Sequence, residues 1–596
     1  MSWQRNKLLT IPAISTLLSL SIASSAFSIT YVRQNAPTGG DGSSWSKAFN
    51  SIENAIHFSA EGEEVWISQG LYAPEKPLSP KKNMRFYGGF SGNEIYFIQR
   101  DPNQLKTIID GQNSLAHIFY ILNPGITIDG VVIQNGNSGN TSLDRGAGIL
   151  AVNASVFVAN STFKNNQSSF GGAIHASNAD LTVSDSSFYN NKALRGEGRG
   201  GAIWTHGQTP IIAGSTFVSN VAFKHGGALE LNNTDDGLIY DCIFRDNSVI
   251  DDSLAGSGGG AVSAQWAQSL YPSINPKITI EQSTFSDNHS AKEGGAVYSN
   301  KVQLLVRTSN FSGNTGVYGG AIKFDYDTES TTSIVERCIF TDNTASTSGG
   351  AIQSYMQNLI IENSLFTYNS SSIHGGAINF NGGSDPEHGY PPGYEVSVKN
   401  STFYGNTAAV SGGAIFNLGY HDLNIMNSVL WSNEAPEDQF INGARSTNDF
   451  FIRNPDIDVI SDFINAQSSH IQSVDFSTDP RFSTDSADIF STDPRFESTD
   501  ADNFYPRDDS PLIDSANGDY LPEQTSCDIN NYPRVDFPGI DNSNIGGEPT
   551  YADIGAYEKL FDADTPRCSG SPSSKPIFPS VYHRGPALPG MMILLQ

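Results

Sequence analysis

Two short motifs recur along the middle of this 596-residue chain, and they alternate with each other. Phe-x-x-Asn begins at Phe163, Phe188, Phe217, Phe244, Phe285, Phe311, Phe340, Phe366 and Phe403, with a degenerate tenth copy at Leu430. Gly-Gly-Ala followed by Ile, Val or Leu begins at Gly171, Gly200, Gly226, Gly259, Gly294, Gly319, Gly349, Gly375 and Gly412. Successive phenylalanines are 25 to 29 residues apart, except for two intervals of 41 and 37 residues. A period of this length predicts a solenoid of repeated units.

Each repeat has the pattern of one coil of a parallel β-helix. Short runs such as 181–183 and 278–280 are rich in strand-forming residues and are flanked by Asn, Asp, Ser and Gly. One period has room for about three such strands. Neighbouring coils lie ~4.8 Å apart, so equivalent side chains should stack in ladders. We expect a buried stack of phenylalanines, and turn asparagines that bond to adjacent coils while adopting left-handed geometry.

A small residue, Ser or Cys, stands two positions before each phenylalanine of the repeats. Cys242 and Cys338 occupy this position in coils that are three apart. That separation is roughly 14 Å at the spacing of parallel coils, which is too far for a disulfide bond. They are therefore predicted to be structural small residues, and pairing of Cys527 with Cys568 stays open.

The charge of the chain restricts its partners. Lys and Arg number 34 against 62 Asp and Glu, which gives a net charge of −28. A chain this acidic repels phosphate backbones, so nucleic acid is not expected as a partner. Residues 434–564 hold 28 acidic and 7 basic side chains, so −21 of the net charge lies there.

The chain divides into five segments. Residues 1–28 have the charged start, apolar run and small-residue end of a secretory signal peptide, and an N-terminal membrane anchor is the alternative. Residues 29–105 are predicted to form an N-terminal cap and the first coils, and residues 106–433 the β-helix repeats. Residues 434–558 are predicted to be an acidic, mostly irregular C-terminal capping segment, and residues 559–596 a flexible tail.

A helix is predicted within the N-terminal cap. Residues 44–58 place Ala48, Phe49 and Ile56 on one helical face, with Ser44 or Ser46 as the N-cap. Such an amphipathic helix would cover the open edge of the first coil and protect it from strand addition.

These motifs resemble those of known exported proteins. The Gly-Gly-Ala-Ile and Phe-x-x-Asn pair resembles the repeats of polymorphic outer-membrane proteins, which implies a secreted β-helical adhesin. Residues 42–49 and 87–90 look like the start of bacterial secreted right-handed β-helix proteins, and residues 510–514 and 553–558 look like their closing choice-of-anchor Q segment. The resemblance implies an all-β fold, a right-handed single-stranded parallel β-helix of the pectate-lyase-like type with capping segments. Its handedness rests on the resemblance alone.

Parallel β-helices also carry polysaccharide lyases and hydrolases, so the strand after each Gly-Gly-Ala is a candidate location for catalytic residues. Alternation predicts two outward rows of side chains on this strand. Glu230 and Asp325 are the carboxylates of these rows, and they are three coils or roughly 14 Å apart. Glycosidase carboxylate pairs are about 5–9.5 Å apart. The rows are therefore predicted to hold no acid pair.

A ligand-binding groove is predicted on the same face. The two longest intervals between phenylalanines contain insertions at 266–276 and 381–394 that leave the same edge of the rod. The insertions carry aromatic residues, and the outward rows between them carry polar and aromatic ones. Six residues are the candidates for binding a glycan, with aromatic rings stacking on sugars: Tyr298, Lys323, Asp325, Tyr355, Trp266 and Tyr390. Inert surface loops are the alternative.

The favoured function is that of an exported, surface-associated or secreted monomer with an adhesive or scaffolding role. Its expected partner is an extracellular polysaccharide or cell-surface ligand, and outer-membrane or cell-surface association is compatible with this role. The alternative is a polysaccharide lyase or glycoside hydrolase acting outside the cell. Ca²⁺ is compatible with oxygen ligands at Asp500 and Asp502 or at Asp562 and Asp564, although no complete spaced loop is present; a solvated acidic surface is the alternative there.

Overall fold

A computed structural model describes most of the repeat region. It covers residues 28–436 except 140–143, 254–255, 267–275, 326–330, 382–393 and 418–420, together with short segments between 450 and 529. The predicted signal peptide up to residue 27, both predicted Ca²⁺ sites, Tyr390, Cys527, Cys568 and the segment 559–596 lie outside the described residues.

The chain winds through four parallel sheets, and each full coil contributes one strand to each sheet in turn. The sequence predicted about three strands per coil, and the additional one is a short strand between the turn asparagine and the glycine pair. The first sheet contains Ile29–Val32, Glu64–Ser68, Arg85–Phe90, Ile126–Asp129, Ser155–Ala159, Asp180–Ser184, Ile211–Ala213, Asp236–Tyr240, Lys277–Glu281, Gln303–Arg307, Thr332–Glu336, Asn358–Glu362, Tyr394–Lys399, His421–Met426, Ile464–Gln467 and Phe482–Ser483.

The second sheet carries the phenylalanine ladder, and the third is the short additional one. The second contains Gly70–Tyr72, Thr107–Asp110, Val131–Gln134, Thr162–Lys164, Ser187–Tyr189, Thr216–Val218, Ile243–Arg245, Thr284–Ser286, Asn310–Ser312, Ile339–Thr341, Leu365–Thr367, Thr402–Tyr404, Val429–Trp431, Ser469–Ile471 and Ile489–Phe490. The third contains Gln167–Ser168, Lys192–Ala193, Val221–Ala222, Ser248–Val249, His289–Ser290, Thr315–Tyr318, Thr344–Ser348, Ser370–Ser371 and Thr407–Ala408.

The fourth sheet follows the glycine pairs. It contains Phe119–Ile121, Ile149–Val152, Ile174–Ser177, Ile203–His206, Leu229–Asn232, Val262–Gln265, Val297–Asn300, Ile322–Asp325, Ile352–Tyr355, Ile378–Asn381, Ile415–Asn417 and Phe450–Ile452. Equivalent residues pair between coils, as Phe163 does with Phe188. This coil-by-coil register confirms the predicted parallel β-helix.

The interior is built from stacked identical side chains. From Phe163 to Phe403 the rings are wholly buried and stack face to face, with centroids 4.7 Å apart for Phe285 and Phe311. Beside them, Asn191 Nδ2 donates hydrogen bonds of 3.0 Å to Asn220 Oδ1 and to the carbonyl of Phe163. One asparagine therefore ties together three coils, as the ladder prediction requires.

The left-handed turn residue is not the ladder asparagine. Asn165 and Asn190, which immediately precede ladder asparagines, have φ of 56° and 53°. The prediction that the ladder residue itself adopts this geometry was wrong. Its side chain must lie inside the rod to reach neighbouring coils, so the preceding residue makes the turn.

The N-terminal cap contains a shorter helix than the sequence predicted. Trp45–Lys47 forms a 3-10 helix, and the α-helix is Ile52–Phe58 with Ser51 as its N-cap. Phe49 is not helical, because its backbone bridges to Val32 beside the first strand. Ile52 and Ile56 nevertheless pack into the main core, so the helix does cover the first coils. A second 3-10 helix, Phe97–Gln99, lies on the outside of the cap.

Parallel pairing continues past residue 433, where the repeats were predicted to end. Strands between 450 and 490 add to the first, second and fourth sheets. A separate antiparallel hairpin, Phe496–Ser498 with Asn503–Pro506, folds back along the rod. Phe504 packs with Leu365, and its ring lies tilted against that of Tyr404, with the two ring centroids 5.2 Å apart. Part of the acidic segment therefore covers a side of the second sheet.

Across the described parts of the chain, every helix is too short or too polar to span a membrane.

Candidate ligand-binding face

The corner made by each glycine pair builds one outer face of the rod. Gly294 has φ of 57°, and a Cβ added there would lie only 2.1 Å from the carbonyl oxygen of Val297. A side chain cannot be accommodated in this conformation. The sharp corner brings the residue before the glycines, Glu293, to the same side as the outward residues of the following strand.

Three rows of side chains form this surface, which we call the corner face. The corner row, before the glycines, is Arg145, Phe170, Arg199, His225, Gly258, Glu293, Tyr318, Ser348, His374 and Ser411. The inner row is His175, Trp204, Glu230, Ser263, Tyr298, Lys323, Gln353, Asn379 and Phe416. The outer row is Ser177, His206, Asn232, Gln265, Asn300, Asp325, Tyr355 and Asn381. The sequence predicted the inner and outer rows and missed the corner row.

The two predicted rows differ in their access to solvent. Most of the inner row is buried, and Tyr298 and Glu230 are fully so, because corner-row side chains pack against it. Every member of the outer row is half-buried. Contact with a ligand therefore falls to the outer row and to the exposed members of the corner row.

Four of the predicted site residues meet in one cluster. Tyr298 donates a hydrogen bond of 2.9 Å to Asp325 Oδ2. Lys323 Nζ lies 3.9 Å from Asp325 Oδ1 and 5.2 Å from the centre of the Tyr355 ring. Asn300 in turn donates to the phenolic oxygen of Tyr298 over 3.2 Å. The prediction that these residues share a surface agrees with their positions.

The cluster also contains a carboxylate that sequence reasoning missed. Glu293 Oε2 lies 3.6 Å from Lys323 Nζ, on the side opposite Asp325 in the corner row. Because Glu293 and Asp325 both contact Lys323, the two carboxylate oxygens that make these contacts are at most about 7.5 Å apart. Glu293 belongs to the corner row, which the prediction about the two outward rows did not include. The missed signal was the constant position before each glycine pair.

Burial sets the protonation behaviour of the cluster. It raises the pKa of the Glu293 carboxyl, and the neighbouring charge of Asp325 adds to this while Lys323 opposes it. It also raises the pKa of Tyr298 well above its usual value, with a further contribution from Asp325. Tyr298 is therefore a hydrogen-bond donor at neutral pH, and Glu293 holds its proton more tightly than an exposed carboxyl.

A second charged pair lies two coils earlier. Arg199 Nη1 is 3.3 Å from Glu230 Oε1, and burial raises the pKa of Glu230. His206 Nδ1 lies 3.1 Å from the oxygen of Asn232. Between the two clusters, Gln265 Nε2 lies 2.6 Å from His225 Nδ1. Polar contacts therefore run along the corner face over five coils.

One of the predicted aromatic residues, Trp266, does not join this surface. Trp266 leaves only 5% of its surface exposed and packs with the main core, so the prediction that it stacks on a ligand was wrong. Its indole fills the space at the end of the fourth-sheet strand instead of entering the loop. Tyr390 lies outside the described residues, as do 267–275 and 382–393, so the groove walls stay predictions.

The corner face offers no grouped metal ligands. Where the structure describes the chain, no three His, Cys, Asp or Glu side chains come together in a way that could hold a metal ion. Ca²⁺ binding by the acidic segment remains an untested prediction.

Two family descriptions match parts of the chain. Residues 116–271 match the right-handed β-helix region, and residues 282–300, 337–355 and 400–418 match the repeat of the Chlamydia polymorphic membrane protein. The chain is a right-handed parallel β-helix repeat protein. Its repeats resemble those of the polymorphic membrane proteins, and two of the matched segments contain Tyr298 and Tyr355. A comparison with curated proteins gave no match.

Solved structures share features with this β-helix protein at low identity. The pectate lyase Pel9A aligns with a TM-score of 0.27 and 13% identity, over 89% of this chain and 96% of its own. A rhamnogalacturonan lyase aligns with a TM-score of 0.33 and 13% identity, over 56% of this chain and 87% of its own. A GH87 α-1,3-glucanase from Streptomyces thermodiastaticus aligns with a TM-score of 0.28 and 14% identity, over 68% of this chain and 64% of its own. Scores this low say nothing about activity.

Proposed function

We propose that this protein is an exported rod that binds an extended polysaccharide along its corner face. The observation that carries the proposal is the outer row. On eight successive coils, from Ser177 to Asn381, the same position holds a half-buried side chain able to form hydrogen bonds. A repeating array of this kind matches a repeating ligand, whose units each contact one or two coils.

The chemistry of the row suits sugars. Asn, Gln, Asp and His side chains donate to or accept from hydroxyl groups. Beside them, the Tyr318 ring is 38% exposed and the Tyr355 ring is half-buried, and Lys323 Nζ lies within 5.9 Å and 5.2 Å of their centres. Flat apolar rings next to polar groups give a surface on which a sugar ring can stack.

The charges favour a neutral polymer. Near Tyr318 and Tyr355, the Lys323 cation already contacts two carboxylates, Glu293 and Asp325. The whole chain carries −28, so a polyanion would meet repulsion at long range as well. A neutral polysaccharide does not need to displace the carboxylates that contact Lys323, and it is not repelled by the net negative charge.

The resemblance to polymorphic membrane protein repeats supports a location at the cell surface, where such binding would make the rod an adhesin or a scaffold. The predicted signal peptide supports export. We expect a monomer, because a rod with many weak contacts gains affinity along one polymer chain without a second subunit.

The proposal is tested by affinity electrophoresis of the purified protein in gels containing xylan or polygalacturonate. Xylan should retard the protein and polygalacturonate should not. Tyr318→Ala should weaken xylan binding about fivefold, by the loss of roughly 1 kcal/mol of stacking. The matched control is Tyr189→Ala, since Tyr189 is 36% exposed on the second sheet, away from the corner face. Equal losses in both variants, or no retardation of the unaltered protein in any polysaccharide, would contradict the proposal.

A further inference from the structure

The outer surface of the first sheet carries an ordered pattern of charges over five neighbouring coils, which we call the sheet face. Its strands pair in parallel register, and every second side chain points outwards. The first edge row is Lys277, Gln303, Thr332, Asn358 and Glu395. The middle row is Thr279, Leu305, Ile334, Ile360 and Ser397, and the second edge row is Glu281, Arg307, Glu336, Glu362 and Lys399.

The centre of the sheet face is apolar on its outer side. Leu305, Ile334 and Ile360 are half-buried and stand opposite one another on successive strands. A sheet whose outer side faces water usually carries polar residues there. Aliphatic side chains that continue over three coils instead form a patch suited to contact with another surface.

The charges around this patch are complementary to themselves. A second copy turned by 180° about an axis parallel to the strands, above Ile334, faces the first with its coils in the opposite order and its rows aligned. Every charged residue outside the central coil then meets the opposite sign on the other copy: Lys277 meets Glu395, Glu281 meets Lys399, and Arg307 meets Glu362.

We propose that two copies of this chain pair through the sheet face, with their rods antiparallel and the twofold axis at Ile334. Such an interface is isologous, so each ion pair occurs twice. Leu305 of one copy packs on Ile360 of the other, and the two Ile334 side chains meet at the axis. Two sheets packed in this way lie ~10 Å apart, which long charged side chains at the edges span from both sides.

Neighbouring registers of the pair are unfavourable. Moving the axis by half a coil towards Leu305 places Glu281 against Glu362 of the other copy. Moving it by half a coil towards Ile360 places Glu336 against Glu362. Opposed like charges disfavour an interface, so the charge pattern selects the register centred on Ile334.

The central coil places the two Glu336 side chains near each other, and each rod compensates this charge internally. Arg307 Nε lies 3.1 Å from Glu336 Oε2, and Arg337 Nη2 lies 2.9 Å from Glu336 Oε1. A guanidinium has five N–H donors, so Arg307 retains donors for Glu362 of the other copy. At the edge, the Lys277 side chain is 39% exposed and accessible to a second copy.

The size of the sheet face makes the pair weak. Five coils and strands of five residues give a footprint of about 24 Å by 17 Å, or roughly 800 Å² buried in total. Interfaces of this size are typical of transient complexes. The protein should therefore be a monomer in dilute solution and pair where it is concentrated, as on a cell surface. The corner face belongs to the fourth sheet, so pairing does not depend on polysaccharide binding.

The direct test is carbodiimide cross-linking of the purified full chain at low and high protein concentration, followed by peptide mass spectrometry. The reagent joins an amine to a carboxylate that it contacts. Lys277 and Glu395 of one rod are four coils or roughly 19 Å apart, so a link between them must join two copies. We expect this link at high concentration only. Linkage of Lys399 to Glu362, which are 3.8 Å apart within one rod, is the internal control and should form at every concentration.

Charge reversal tests the register by sedimentation velocity. K277E should weaken association about tenfold or more, because it opposes like charges at both ends of the pair. Adding E395K to K277E should restore association to within about threefold, because the pair is then reversed. The matched control is K192E, which makes the same change of charge at an exposed position of the third sheet and should leave association unaltered. Circular dichroism melting of each variant shows whether it folds.

The opposite results are as clear. A protein that stays monomeric at high concentration, or one that associates without a link between Lys277 and Glu395, overturns the pairing. Equal losses in K277E and K192E, or a folded double variant that does not recover, also overturn it.

Discussion

Tyr298 and Asp325 are joined across neighbouring coils by a hydrogen bond of 2.9 Å from the phenol to the carboxylate. Tyr298 is fully buried, and it stands opposite Lys323 in the parallel register of the fourth sheet. The buried tyrosine therefore holds the half-buried carboxylate of Asp325 in place. The corner face depends on such contacts between coils, which hold polar side chains in place beneath an exposed row.

Removing this phenol should destabilise the rod. Tyr298→Phe takes away the donor to Asp325 and the acceptor for Asn300 while it keeps the ring. The free energy of unfolding should fall by roughly 1–3 kcal/mol, the cost of leaving buried polar groups without a bond. Urea denaturation followed by circular dichroism measures the change. An unaltered midpoint would mean that the bond contributes nothing in solution.

Among the polar side chains, the ladder asparagines should tolerate substitution least. Asn288 accepts bonds from the backbone and side chain of Asn247 and donates to the carbonyl of Phe244 and to Asn314. Asn288→Ala should therefore cost about 2–4 kcal/mol, since several buried groups lose their bonds together. Asn310→Ala, at an exposed position of the next coil, is the control and should cost less than about 0.5 kcal/mol. Similar thermal midpoints for the two variants would contradict the role of the ladder.

His175 should make stability depend on pH. Burial, together with the nearby charge of Arg145, lowers the pKa of His175 from 6.5 to about 3, and its ring stacks on Trp204 at 4.3 Å. A histidine that folds in its neutral form contributes fully above pH 6.5, and this contribution is lost as the pH falls from 6.5 towards 3. The loss approaches ~1.4 kcal/mol per pH unit. Unfolding free energies of the unaltered protein should therefore fall more steeply over this range than those of His175→Phe. Parallel curves would exclude the effect.

The two described cysteines should be unreactive in the folded protein. Cys242 and Cys338 are free and buried, and burial raises the pKa of both thiols to about 12. Because the thiolate is the reactive form, labelling by iodoacetamide at pH 8 should spare both until urea unfolds the chain. Peptide mapping by mass spectrometry separates them from Cys527 and Cys568. Modification of Cys242 in the native protein would show that the coil opens readily.

The repeat ladders could be predicted from the sequence because identical residues recur at one position of every coil. Phe285 and Asn288 can be placed inside the rod from the sequence alone, because each of them contacts the equivalent residues of the neighbouring coils. The positions of Tyr298, Lys323, Asp325 and Tyr355 followed from strand alternation in the same way.

The remaining features depend on where the chain departs from a strand. Glu293 was missed because a glycine with positive φ interrupts the alternation just after it, and the corner then returns its side chain to the face. Alternation also cannot show that Tyr298 is covered by its neighbours. Trp266 follows the last residue of a strand, where the sequence does not distinguish a core side chain from the start of a loop.

The central claim, that a polysaccharide lies along the outer row, is tested most directly by calorimetric titration of the unaltered protein with xylo-oligosaccharides from the disaccharide to the octasaccharide. Coils repeat every ~4.8 Å, so each added sugar should reach further outer-row side chains. We predict that affinity rises with length until the chain spans the row from Gln265 to Tyr355, and then stays constant. An affinity that is independent of length, or absent at every length, would contradict binding along the corner face.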